Sequence, residues 1–174
     1  MKRLGLLGAL ALALSGCGGL RPLYGGGSAG PVQSTLAAVE VAPIEGKSGW
    51  LVTNALKDRL DMGGGAAKRY RLEIKLDDQI AGLGVRRDDS VARERRTLRA
   101  RYQLVDLSNG TVVLDATAGS DAGIDVVGSE YATIAAENSA LERLSGIVAD
   151  QIVARVARYA QASASGATQG ASAQ

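Results

Sequence analysis

Apolar and polar residues alternate most regularly between residues 70 and 77. Tyr70, Leu72, Ile74 and Leu76 interleave with Arg71, Glu73, Lys75 and Asp77, and this period of two predicts a strand with one buried and one wet face. Leu98, Ala100, Tyr102 and Leu104 alternate in the same way with Arg99, Arg101 and Gln103, inside a longer strand predicted from about Val91 to Leu107. Ser108-Asn109-Gly110-Thr111 follows as a hairpin turn in which Asn-Gly supplies the positive φ angles. A further strand is expected from about Val112 to Ala118, and a short first one over Val39–Ile44, with Pro43 near an end or an edge. The period changes in two places. Leu51, Val52, Ala55, Leu56 and Leu60 have helical spacing within Trp50–Met62, after an expected N-cap at Ser48 and before Gly63-Gly64-Gly65. Ile134, Leu141, Leu144, Val148, Ile152, Val156 and Tyr159 mark one stripe of a long second helix that opens at Ser129 or Glu130.

The order is therefore strand, helix, three strands, helix. Two amphipathic helices cover one face of a four-stranded, mostly antiparallel sheet, giving a two-layer α/β sandwich. The other face, with Arg71, Glu73, Lys75, Arg99 and Arg101, is expected to stay polar. The domain is expected over residues 39–161. Residues 162–174, made almost wholly of Ala, Ser, Gly, Gln and Thr, are expected to form a disordered tail.

The amino terminus is a separate object. Lys2 and Arg3 precede an unbroken run of Leu, Ala and Gly from Leu4 to Leu14, and Leu14-Ser15-Gly16-Cys17 follows. This is the layout of a secretory signal over residues 1–16. As a helix the run reaches about 16 Å, against a bilayer core of about 30 Å. The tetrapeptide resembles a bacterial lipobox, which implies cleavage after Gly16 and lipidation of Cys17. Lipidation also accounts for a lone cysteine in an exported chain, which has no disulfide partner. Residues 17–38 then read as a lipidated Cys and a flexible tether, with Gly25–Gly30 the flexible part and Leu20-Arg21-Pro22-Leu23-Tyr24 an apolar island.

Charge and composition narrow the chemistry. The chain has 20 basic and 18 acidic side chains, so loss of Lys2 and Arg3 with the leader takes the formal charge from +2 to zero. Bulk attraction to nucleic acid is not expected. There is no His, and no Cys beyond Cys17. That excludes imidazole or thiolate metal sites and every Ser-His or Cys-His arrangement, so an enzyme is not expected, nor a cofactor. Gly63–Gly65 follow a helix and precede no Gly-Lys-Ser or Gly-Lys-Thr, so they are no phosphate cradle. Asp77-Asp78 and Asp88-Asp89 are neighbours whose side chains point apart.

The arginines form the best candidate site. Arg86, Arg87, Arg93, Arg95, Arg96, Arg99 and Arg101 fall close together, diluted by Asp88, Asp89 and Glu94. If the register of Leu98 and Tyr102 extends backward, Arg93, Arg95, Arg99 and Arg101 share one face. Arginine forks fit phosphate and carboxylate geometry. The alternative is a solvated strand face whose charges deter edge pairing. The candidate ligand-binding or partner-binding set is thus Arg86, Arg87, Arg93, Arg95, Arg99 and Arg101.

Several segments together resemble the lipopolysaccharide-assembly lipoprotein family, LptE. They are Cys17-Gly18 with Arg21-Pro22-Leu23-Tyr24-Gly25; Tyr102-Gln103-Leu104-Val105-Asp106 with Gly110; and Ser129, Tyr131-Ala132, Ala136-Glu137, Ala140, Arg143, Ala149 and Ile152. The resemblance covers nearly all of Cys17 to Ala160. It departs at Gly19-Leu20, where an aromatic usually follows, and over Ala118–Gly128, which lacks the family's polar-aromatic pattern. It implies an outer-membrane lipoprotein facing the periplasm, which plugs the LptD β-barrel, helps assemble it and passes lipopolysaccharide to the cell surface. An auxiliary lipoprotein of an ABC-type lipid transport system is the alternative reading.

Overall fold

The structure is a computed structural model that describes residues 30–60, 66–85, 91–126 and 128–171. The leader, Cys17, the Gly25–Ala29 stretch, Gly63–Gly65, Arg86, Arg87 and Asp88-Asp89 lie outside the described residues. The elements in chain order are α1 (Pro31–Ala37), β1 (Val39–Val41), α2 (Gly46–Leu60), β2 (Tyr70–Val85), β3 (Val91–Asp106), β4 (Thr111–Asp125) and α3 (Glu130–Ala171).

The four strands form one sheet in the order β1-β2-β3-β4. β2, β3 and β4 pair antiparallel, whereas β1 pairs with β2 in parallel, Val39 opposite Tyr70 and Val41 opposite Leu72. The sheet is therefore mixed, because the β1–β2 connection runs through a helix, and a helical crossover returns the chain in its original direction. Gly110, at φ 71, provides the left-handed residue of the β3–β4 hairpin. Near that turn a bulge between Leu104 and Val105 shifts the register, so Val105 faces Val112 and Leu104 faces Leu114.

Even-numbered side chains of β2 and β3, and those of β4 from Leu114 onward, face the helices. Leu72, Leu98, Tyr102 and Leu104 form the sheet side of the core, and Val52, Leu56, Leu141, Leu144, Val148, Ile152 and Val156 the helix side. α2 and α3 run side by side in the same direction. Lys47 Nζ donates to Asn138 Oδ1 at 2.6 Å, and further along Arg59 Nε donates to Asp150 Oδ1 at 2.6 Å. The Asp150 hydrogen bond raises the Arg59 pKa, and Arg59 in turn lowers that of Asp150. At the far end of α3 the Tyr159 ring meets Tyr70 edge-on at 6.2 Å, while the Arg69 guanidinium lies 5.2 Å from the Tyr70 centroid.

Five boundaries differ from the sequence expectation. Residues 31–37, assigned to the tether, form α1, with Pro31 in its first turn and Val32 and Leu36 buried in the core. Pro is favoured at a helix start, and two apolar residues four apart give such a short helix a face to bury. The helix count is thus three rather than two. α2 begins at Gly46, so Ser48 is inside it and is not its N-cap. β2 runs to Val85 and β4 to Asp125, well past Asp77 and Ala118. β3, at 16 residues, offers backbone groups on both sides along its whole length, and its neighbours satisfy them even where hydrophobic alternation fades. Finally, α3 continues to Ala171, over the described part of the segment expected to be a disordered tail, residues 172–174 lying outside the described residues. Alanine, glutamine and serine continue a helix whose nucleus is already packed; between Ala160, which is buried, and residue 166 no further side chain is buried.

Candidate functional site

The face of the sheet away from the helices carries the odd-numbered side chains, and their register assembles a charged surface. Arg93, Arg95, Arg99 and Arg101 all lie on it and are exposed, as the backward extension of the register from Leu98 and Tyr102 requires. Arg96 falls on the helix side instead. It donates to Asp78 through Nε at 2.9 Å and Nη2 at 2.7 Å, and through Nη1 to the Glu137 carbonyl at 3.0 Å. That link joins β2, β3 and α3, and the Asp78 hydrogen bond raises the Arg96 pKa.

The open-face arginines divide into paired and unpaired. Arg93 meets Asp125 at 3.0 Å and Arg95 meets Asp121 at 3.8 Å, both pairs exposed. Such pairs contribute about 0–1 kcal/mol. Arg101 Nη2 reaches Asp115 Oδ2 at 3.2 Å, and Gln103 Nε2 donates to the same oxygen at 2.8 Å. The Gln103 hydrogen bond, followed by that of Arg101, holds the Asp115 carboxyl below its ordinary value. Arg99 differs. Its cross-strand partner on β4 is Gly119, and among the described residues it makes no ion pair. A Cβ at position 119 would lie 3.3 Å from Arg99 Cγ and 3.2 Å from the Leu98 carbonyl, so the glycine lets the Arg99 stem lie close against β4.

Around Arg99 is a groove of about 510 Å³, lined by Lys75, Asp77, Thr97, Arg99, Arg101 and Asp121, among others. A smaller hollow of about 350 Å³ adjoins it at Glu73, Lys75, Arg101 and Gln103, where Ala42 and Pro43 lead away from β1. Lys75 stands directly opposite Arg101 across β2 and β3. Like charges so placed are destabilising, and an anion against the groove would relieve the repulsion. The groove offers cationic donors and hydroxyls, which are groups for holding a polar or anionic surface. Among the described residues no cluster of His, Cys, Asp or Glu is arranged to hold a metal ion.

Of the six candidate arginines, the structure brings four to one face and leaves Arg86 and Arg87 outside the described residues. Sequence reasoning did not single out Lys75, Gly119, Asp121 or Gln151, which help form the groove. The alternation put Lys75 on the wet face, but which β3 residue it opposes is a matter of strand register.

Comparison with known proteins gives a consistent picture. The chain is similar to the structure of a candidate lipoprotein from Caulobacter crescentus CB15, with 27% identity and a TM-score of 0.64, over 77% of this chain and 98% of that one. A minor lipoprotein from Acinetobacter baumannii has a similar fold at 15% identity and a TM-score of 0.52, covering 69% of this chain and 90% of its own. So has an uncharacterised lipoprotein B from Nitrosomonas europaea, at 13% identity and a TM-score of 0.54, with coverages of 71% and 83%. A search of curated proteins finds no match. The family model for LptE, described as lipopolysaccharide-assembly, matches residues 36–156, from the buried Leu36 of α1 to the buried Val156 of α3, and the chain belongs to that family.

Proposed function

We propose that this chain is an outer-membrane lipoprotein, anchored through lipidated Cys17 with its domain in the periplasm. There it plugs the LptD β-barrel, supports assembly of that barrel, and helps pass lipopolysaccharide to the cell surface. The observation that carries the reading is the family match over residues 36–156. The open sheet face supports it, because a barrel lumen is polar and wet, and a face of alternating arginines and aspartates can exchange its water for such a wall. Arg93, Arg95, Arg99 and Arg101, with Arg86 and Arg87, are the proposed contacts to the barrel or to anionic lipopolysaccharide. Among the described residues no helix is long and apolar enough to cross a membrane, so the anchor in this reading is the lipid on Cys17.

The test is affinity purification of the full-length chain from detergent-solubilised membranes, with identification of what accompanies it. A large β-barrel in stoichiometric amount is the expected result. Recovery of ABC-transporter components without a barrel would replace this reading with the auxiliary-lipoprotein alternative.

A further inference from the structure

We infer that the side-chain amide of Gln151 stands in for a fifth strand at the edge of β4 and keeps that edge from pairing with a second copy of this chain. β4 is the last strand of the sheet, so one row of its backbone groups has no strand partner. At Gly119 that row is occupied. The Gly119 N–H donates to Gln151 Oε1 at 3.0 Å, and Gln151 Nε2 donates to the Gly119 carbonyl at 3.3 Å. An amide that accepts from one residue's N–H and donates to the same residue's C=O reproduces the bonding of a neighbouring strand. Because both Gly119 groups point away from β3, those of Thr117 and Asp121, two residues to either side, point the same way.

The position of the cap matches the place where other protection is missing. Edge strands are commonly guarded by charge, proline or bulges. The β2 edge beyond β1 carries Lys75, Asp77 and Asp78. β4 has no charged residue between Asp115 and Asp121, only Ala116, Thr117, Ala118, Gly119 and Ser120. Its bulge, between Leu104 and Val105 on the partner strand, lies nearer the hairpin. Gln151 reaches β4 inside this uncharged stretch. Charge would not prevent self-pairing there. Two β4 edges meeting antiparallel about Gly119 would set Thr117 opposite Asp121 and Asp115 opposite Gly123, with no carboxylate facing another. A second copy is therefore the occupant that the amide keeps out.

The experiment compares the full-length chain, purified in detergent, with Gln151→Ala, Gln151→Lys and Gln151→Ala combined with Thr117→Pro. Gln151 is exposed on α3, so these changes leave the core intact, and a thermal melt of each variant checks this. Amide exchange at Gly119 should quicken roughly tenfold in Gln151→Ala, the order expected for one lost hydrogen bond. That variant should also show concentration-dependent dimers by light scattering. Gln151→Lys should lose the Gly119 protection yet stay monomeric, because the new lysines of two copies would meet at the paired edge and repel. Thr117→Pro removes an outward N–H without touching the β3 ladder and should abolish the dimer. Unchanged Gly119 exchange in Gln151→Ala would overturn the cap. Faster exchange in a chain that stays monomeric would overturn the guarding role, and a dimer that survives Thr117→Pro would overturn β4 as its route.

Discussion

Asp106 shows how one side chain can hold a turn. It is buried at the end of β3, where its Oδ1 accepts from the Ser108 N–H at 2.9 Å and the Ser108 hydroxyl at 2.6 Å. Its Oδ2 accepts from Arg69 Nη2 at 3.3 Å. The Ser108 hydrogen bonds, side chain then backbone, are the largest causes holding its carboxyl below the ordinary value. A depressed carboxyl stabilises the fold above its unfolded pKa of about 3.9, and the benefit is lost as pH falls through the lower folded value. Asp106→Asn should therefore flatten the acid limb of melting temperature against pH, below about pH 4, relative to the parent. A parallel drop in both proteins across that range would remove Asp106 from the acid response. The Arg96–Asp78 pair belongs to the same scale. Its side chains are only 12% and 19% exposed, so Arg96→Ala strands a carboxylate away from water. Its expected cost is about 3 kcal/mol in urea unfolding. Arg96→Met with Asp78→Leu, which removes both charges, should recover much of that loss.

Among the elements, α3 is the spine, since it packs against α1, α2, β3 and β4. Leu141 and Leu144 are fully enclosed between it and the sheet. Truncating either to Ala should destabilise by about 2–5 kcal/mol in equilibrium unfolding, depending on how far the site collapses. The same range is expected for Leu36→Ala in α1, a segment that reads as tether in sequence but buries its leucine in the core. Near-neutral unfolding at Leu36 would mean that α1 docks without contributing to stability.

For the whole molecule, the proposed function makes anchoring and face chemistry separable. Cys17→Ala should leave the domain folded and move it from the membrane fraction to the soluble one in cells lacking the proposed barrel partner, with no acyl label incorporated. Retention of label would exclude Cys17 as the modified residue. On the open face, Arg93 and Arg95 already make ion pairs with aspartates, whereas Arg99, which stands opposite Asp77 on β2, makes none among the described residues. Arg99→Glu should therefore weaken binding of lipopolysaccharide more than the double change Arg93→Glu with Arg95→Glu. A titration at two ionic strengths, beside a thermal melt of each protein, reads this directly. A larger effect of the double change, which alters the charge of the face twice as much, would mean that the face acts through its summed charge and not through the groove.

Much of this protein is legible before any coordinates. The alternation at Tyr70–Asp77 and Leu98–Leu104 determines which residues are buried and puts Arg93, Arg95, Arg99 and Arg101 on one face, because side chains of a strand alternate regardless of what lies beside it. The Asn109-Gly110 turn and the Leu141–Val156 stripe are local in the same sense. Tertiary structure decides what depends on partners distant in sequence. The parallel seating of β1 and the extension of β2 and β4 follow from hydrogen bonds to a neighbouring strand, not from propensity. The docking of α1 follows from a place for Leu36 that the packed elements create. The groove follows from register and from the seating of α3. Lys75 opposite Arg101, Arg99 opposite Gly119, and Gln151 against the β4 edge are juxtapositions set by the pairing of strands and the seating of α3, and no local pattern encodes them.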